Sequence, residues 1–559
     1  MLAWESYEFA GIIPRLRKKQ LPKGYATVAH DVDLTHGTIK AFLEPRYIKD
    51  APTGSVYMYV WGCDLLTWDK CVDVAEWLPD CPRLFITGNA DYPQMATIEN
   101  GRLVYRRLGV LVPPSPPIPT VIPLPIPQAT ADNPNPIDPN LEDDRDRSTA
   151  YMATFVNSFG EESGPSMPSH DVVIEDGQTV ELDFRYAPPI EYDIKKVRIY
   201  RRETGFRTGL EKEQELETHW FLLAELDIDE REFTDNVPII HLGWAYENLD
   251  AREPPANLTN ITAIPETAIL AGSVANKLLF SRNLQPNNWE LSQEMTLDDN
   301  IVALGASGNS LYVATDGHPY RVQADVGCDN RACRDTHRYK QAFPMINCHM
   351  GHGAITTPFG FVYASTDGLV MLSDSPNPQI ITSEVLSQDD WRKLAPHTTR
   401  LAYYKGALFV VTDKISFILW LDGNTYSDTK HKKMTTISDE PNDMTVTRQG
   451  ELLLLQQNGT IVQWNAGTKL RPYRWVSAVI DTGFMFDLTR LRAKVLNADT
   501  QISLISDRAT ITRRFPAGDR IIPFGRHGRT REFNIEAIGT GEITEIVAGL
   551  SEIDMGTKE

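Results

Sequence analysis

Leu311-Tyr-Val-Ala-Thr-Asp-Gly317 runs into His-Pro-Tyr-Arg-Val322, Phe361-Val-Tyr-Ala-Ser-Thr-Asp-Gly368 into Leu-Val-Met-Leu372, and Leu452-Leu-Leu-Leu-Gln-Gln-Asn-Gly459 into Thr-Ile-Val-Gln-Trp464. Each is an apolar strand, a turn at Asp-Gly or Asn-Gly, and a second apolar strand. Asp-Gly and Asn-Gly suit type I′ turns, whose central residues both need φ > 0. Looser copies are Lys277-Leu-Leu-Phe-Ser281 and Ala407-Leu-Phe-Val-Val411 with Ile418-Leu-Trp-Leu421. The copies recur roughly 40–60 residues apart, near the period of a β-propeller blade. The fold class expected is mainly β: a β-propeller over 253–475, with a plain β-sandwich of hairpins as the alternative.

Outward from these repeats the chain divides by composition. At 559 residues it should hold about three to five domains. Residues 1–50 read as an irregular N-terminal arm carrying the basic run Arg15-Leu-Arg-Lys-Lys19. Residues 51–112 are β-rich, and Arg83-Leu-Phe-Ile-Thr-Gly88 echoes Lys277-Leu-Leu-Phe-Ser-Arg282. This segment is expected to complete the propeller from a distance. Eleven prolines between Pro113 and Pro139 make 113–147 an extended spacer. Residues 148–252 are a β-sandwich of short strands at Tyr151–Asn157, Val180–Phe184, Lys196–Arg202 and Trp220–Leu226. Residues 476–559 form a last β domain, with period-two strands at Gln501–Ile505, Arg531–Glu536 and Glu542–Val547.

Charge and cysteine content exclude several classes. The net charge of −20 argues against a protein that grips nucleic acid by neutralising phosphates. No window nears the ~18 apolar residues of a membrane helix. The opening Met1-Leu-Ala-Trp-Glu lacks the basic and apolar regions of a secretory signal, so folding in a cytoplasm is expected. Six cysteines in a chain of this length read as free thiols.

Candidate chemistry is sparse. Cys328, Cys333, Cys348, His349 and His352 are zinc-type ligands, but their spacing fits no standard finger, and reduced thiols with ordinary histidines are expected. No nucleophile elbow, P-loop, dinucleotide fingerprint or zinc-protease His pair is present. Asp316-Gly317 and Asp367-Gly368 read as turns, Asp143-Asp144 and Asp389-Asp390 as solvated loops. Trp289, Trp391, Trp464 and Trp475 read as blade packing. Catalytic residues, cofactors and structural metals are therefore all expected to be none, and the chain is not expected to be an enzyme.

The N-terminus is more specific. Phe9-Ala-Gly-Ile-Ile-Pro14, Leu21-Pro22, Ala26, Ala29 and Leu34-Thr-His-Gly37 resemble the start of tail tubular, or nozzle, proteins of short-tailed bacteriophages. His30-Asp31 stands where that pattern commonly has Asn. Trp61, Trp68, Tyr92-Pro93 and Tyr105 to Val110 are also similar, as is the ending Phe533-Asn-Ile-Glu-Ala-Ile-Gly539 with Ile546-Val-Ala-Gly-Leu550. The order of stretches at 156–166, 197–205, 221–226 and 233–236 resembles a fibronectin type III domain. The tail resemblance implies a virion protein assembled in the host cytoplasm: a homo-oligomeric ring, commonly of six copies, meeting a head-to-tail adaptor and tail fibre proteins. Genomic DNA would pass without specific binding through an acidic or neutral bore, and Arg15–Lys19 would face a neighbouring subunit or the adaptor. The competing classes are a propeller-type carbohydrate-active enzyme and a host-glycan adhesin.

Overall fold

The repeats pair as antiparallel meanders in a computed structural model that describes residues 2–76, 83–125, 147–174, 177–205, 217–328, 331–346, 353–421, 434–525 and 528–549. Seven blades stand in a circle, the sixth of them as four strands of a ten-stranded sheet and the others as sheets of their own. The first blade has only two strands, Tyr57–Trp61 and Asp64–Trp68. The second runs from Asp73 to Arg107, the third from Thr259 to Thr296, the fourth from Ile301 to Arg338 and the fifth from Ala354 to Ile380, with four strands each. The sixth runs from Arg400 to Ile437. The seventh takes three strands from Asp443–Gln463 and its outermost, Arg46–Asp50, from before the first blade.

The strand sequences explain the circle. In the fourth blade Leu311, Tyr312, Val313 and Ala314 are all buried. Leu311 and Val313 pack against Ile264, Ile269 and Leu278 of the third blade. Tyr312 and Ala314 pack against Phe361 and Tyr363 of the fifth. A strand with a blade on each side buries both faces, so it reads as an unbroken apolar run and not as an alternation. Such clusters continue round the ring. Val362, Ala364 and Leu369 meet Leu401, Leu408 and Phe417; Ala402, Phe409 and Ile418 meet Met444, Leu452 and Leu454. Leu453, Leu455 and Ile461 meet Met58. Tyr57, Trp61 and Trp68 then meet Leu84, Ile86 and Ala96. Finally Ala75, Phe85 and Met95 meet Ile261, Leu270 and Leu279. The distant segment thus closes the ring of blades. The echo that suggested it is out of phase, because Leu84–Thr87 is a second strand and Lys277–Phe280 a third.

The turns differ from expectation. Neither Asp316 nor Gly317 has positive φ, and Gly317 leaves room for the Asp299 carboxylate, which a Cβ there would meet at 2.3 Å. The Thr315 hydroxyl, which donates to the His318 carbonyl at 2.6 Å, holds that turn. Asp367 is not left-handed either, and Gly368 begins the next strand. At Asn458-Gly459 only Gly459 is left-handed, at φ +84°, as in a type I turn closed by a left-handed glycine. Asp389 and Asp390 sit in the first turn of a short helix, Gln388–Lys393, where Ser387 caps the Asp390 amide. Asp143 and Asp144 lie outside the described residues.

Three boundaries move. The presumed arm is not separate. Leu2–Ser6 pairs with Glu542–Gly549, and Ala26–His30 lies between Met434–Ile437 and Tyr473–Ser477. Both chain ends build one core around Phe9, Trp475, Leu491, Ile535 and Ile546. The Pro-rich stretch starts inside the inserted sandwich: Ile118–Ile122 is a strand against Thr179–Asp183, with Pro119 opposite Leu182. An edge strand tolerates proline because one side of it needs no N–H donor. The sandwich is therefore a sheet of three strands on one of four, spanning Ile118 to Asp235. A buried network ties its two sheets: Arg201 Nη1 donates to Asp235 Oδ2 at 2.7 Å, Tyr151 donates to the same oxygen at 2.9 Å, and Glu203 lies 3.0 Å from Arg201.

Candidate functional site: the axial cavity

The innermost strands of the blades surround the propeller axis. The first four and the start of the fifth leave a cavity of about 750 Å³, lined among others by Tyr57, Tyr59, Asp73, Asn260, Asn300 and Asp316. That is the size range of small-molecule pockets. Its polar groups have structural work. Asp73 Oδ2 accepts from the Asn260 amide at 2.9 Å and the Thr87 hydroxyl at 3.1 Å. This ties the second blade to the third, with Asn260 left-handed at φ +56°. Asp316 accepts from the Asn300 amide and side chain at 2.9 and 2.8 Å. Next to the first blade Asp443, fully buried, accepts from the Met58 amide at 2.7 Å and so ties the seventh blade to the first. Burial, with the Glu76 charge beside it, pushes the Tyr59 hydroxyl well above its ordinary pKa. The cavity can therefore offer neutral hydroxyls and amides to a small polar molecule.

Displaced carboxyls lie elsewhere and point the wrong way for acid catalysis, which needs a raised pKa. Glu99 is held below the usual range by Arg106 and Thr97, Glu225 by Lys196 and Arg198, Asp481 by Arg531, and Asp519 by Arg492. These are ion pairs of the surface and of the sandwich. Among the described residues no group of three or more His, Cys, Asp or Glu is placed to hold a metal. Cys348, His349 and His352 lie outside the described residues; the backbones of Cys328 and Cys333 belong to the outer hairpin of the fourth blade.

The other singled-out residues are structural. Trp391 donates to the Ser365 carbonyl at 2.7 Å and Trp289 to the Pro286 carbonyl at 2.8 Å. Trp464 packs on Phe42 and Phe409, and Trp475 edge-on to Phe9 at 5.2 Å. The basic run is partly tied to its own chain: Arg15 bonds Ser383 and Val385, and Lys19 pairs with Glu532. Sequence reasoning missed the inter-blade carboxylates. Asp73 and Asp443 carry no local motif, since their partners come from other blades.

No family model matches the chain, and no curated protein matches it. Among solved structures it is similar to Hsv2 of Kluyveromyces marxianus, at 9% identity and a TM-score of 0.26 over 52% of this chain and 70% of that one. The WD40 domain of Neurospora crassa Pan2 gives 10% identity and a TM-score of 0.24 over 52% of this chain and 86% of that one. At this level the likeness adds nothing to the fold, which rests on the seven interlocking blades.

Proposed function

We propose that the chain is a structural component of a bacteriophage tail, forming a homo-oligomeric tube through which genomic DNA passes during ejection. The observation that supports this most is where the residues carrying the tail resemblance lie. Phe9 is buried against Trp475, and Gly11 lies against the Met434 backbone. Gly37 closes a turn back to the Leu34 carbonyl at 3.0 Å, and the Phe9 amide donates to Gly37 at 2.8 Å. Ala26, Ala29, Phe533, Ile535, Ala537, Ile546 and Ala548 fill the same core. Both ends of the resemblance therefore specify one unit that joins the chain termini to the sixth blade. The Asp31 position fits too: it is left-handed at φ +50°, a conformation that Asn and Asp share.

The bore of such a tube would lie between copies, because the axis of one propeller leaves only ligand-sized space. A closed cyclic assembly follows from that. The test is copy number in purified phage particles: quantitative mass spectrometry should give a fixed multiple near six per particle, and a single copy would reject the tube. A second reading, a glycan-binding or carbohydrate-active propeller, rests on the axial cavity with Tyr57 and Tyr59 in its wall. Glycan-array binding that is lost in Tyr59→Ala would favour it.

A further inference from the structure

The first blade has two strands where the other six have four. Its outer strand, Asp64–Trp68, ends in an open edge. The ring decides which backbone groups face outward there. The Met58 amide is turned onto Asp443, so Met58 and its opposite residue Thr67 form a non-hydrogen-bonded pair. The backbone groups of Leu65 and Thr67 then point away from the blade. The Leu65 carbonyl is met by the Lys49 ammonium at 3.4 Å; no described backbone group pairs with the rest of that edge.

Over the Asp64–Leu66 part of this edge lies a groove of about 510 Å³. Ile48 and Leu453 of the seventh blade wall one side, Ile98 and Leu103 of the second the other, and Leu65 and Leu66 form the floor. Ile48 and Ile98 are left 39% and 45% exposed. We propose that the groove is a strand-addition site, taking an extended segment of a partner protein as the third strand of the first blade, antiparallel to Asp64–Trp68. Blades flank it on both sides, so the incoming strand must be apolar where it meets Ile98 and Leu103 and where it meets Ile48 and Leu453, while Thr447, Gln449 and Glu451 add polar groups to the seventh-blade side. Three of the third strands that fill the same place elsewhere are of this kind: Gly368–Leu372, Ser416–Trp420 and Thr460–Gln463. The ring already completes one blade by such addition, since Arg46–Asp50 pairs with Thr460–Gln463 from far along the chain. The inference does not depend on the tail reading.

The probe is a labelled peptide carrying the Gly368–Leu372 sequence between flanking lysines, titrated into the full chain. Saturable binding is expected, with slowed hydrogen exchange at the Leu65 and Thr67 amides. Binding should weaken about tenfold or more when alternate peptide amides are N-methylated, and likewise in Thr67→Pro, which removes an outward donor and also fixes φ there. Ile98→Glu, which leaves the backbone alone, should weaken it too. The proposal falls if the peptide does not bind, or if N-methylation makes no difference. It also falls if the two amides already exchange slowly in the free chain: a concentration-dependent rate would mean that a second copy covers the edge, and a constant one that the chain covers it itself.

Discussion

At the residue scale the junction between the chain ends and the propeller rests on two positions. A Cβ on Gly11 would lie 2.1 Å from the Met434 carbonyl oxygen, beside the Ile12 amide that donates to it at 2.9 Å. Gly11→Ala is expected to cost about 1–3 kcal/mol, since overpacking here must move backbone; denaturant titration measures it. Asp31 is buried with Arg471, which reaches it at 3.2 Å and Asp439 at 2.7 Å. Asp31 also accepts the Ser438 amide at 3.0 Å. Asp31→Ala takes one of the two carboxylates of Arg471, leaves the Ser438 amide without its acceptor and removes a residue suited to the left-handed backbone, so a loss of about 1–3 kcal/mol is expected. Asp31→Asn keeps the conformation and should cost clearly less. If the two lose equally, charge and not backbone shape governs the site. The glycine was visible in the sequence as part of a pattern, but its reason was not, because Met434 lies at the other end of the chain.

At the element scale the account turns on ring closure. A fragment of 253–475 lacks the first two blades and the outer strand of the seventh. It leaves Ile261, Leu270 and Leu279 bare at one end and Leu453, Leu455 and Ile461 at the other. Such a fragment should bind a hydrophobic dye and melt without a sharp transition, while the full chain melts cooperatively; equal stability would refute closure. Within the inserted sandwich, Asp235→Ala leaves Arg201 with Glu203 alone as a carboxylate partner, takes the acceptor of the Tyr151 hydroxyl and should cost about 1–3 kcal/mol, seen as proteolysis confined to 118–235. The long apolar runs were legible as blade strands because burial on both faces writes itself into composition. In the sandwich, Val180–Phe184 and Lys196–Arg202 were legible by alternation, whereas Tyr151–Asn157, buried at every position, was legible as an apolar run. Leu2–Ser6, Ala26–His30 and Arg46–Asp50 were not. Each is short, and each is stabilised by a partner hundreds of residues away, so nothing local distinguishes it from an irregular arm. Turn types failed where a side chain, Thr315 or Asp299, supplied what the backbone conformation was expected to supply.

At the scale of the whole molecule, charge is unevenly placed. Residues 148–252 hold 22 acidic against 10 basic side chains, whereas 253–475 hold 22 against 19. The acidic excess therefore belongs mostly to residues 148–252, and 253–475 are nearly neutral. Free full-length protein is expected to show no sub-micromolar duplex binding at physiological salt, since few counterions would be released; tight, salt-sensitive binding would contradict a freely passing bore. The sandwich is fixed to the propeller by Arg106, which donates to Asp193 at 2.7 Å and stacks with Arg83 about Phe159. It should therefore hold one orientation in every copy. The most direct measurement is electron microscopy of the assembled particle at a resolution that shows side chains. The account predicts a closed ring of copies around a common bore, with its wall neutral or acidic and Arg17 and Lys18 away from it. A lone copy, an open fibre, or a bore lined by lysine and arginine would contradict it.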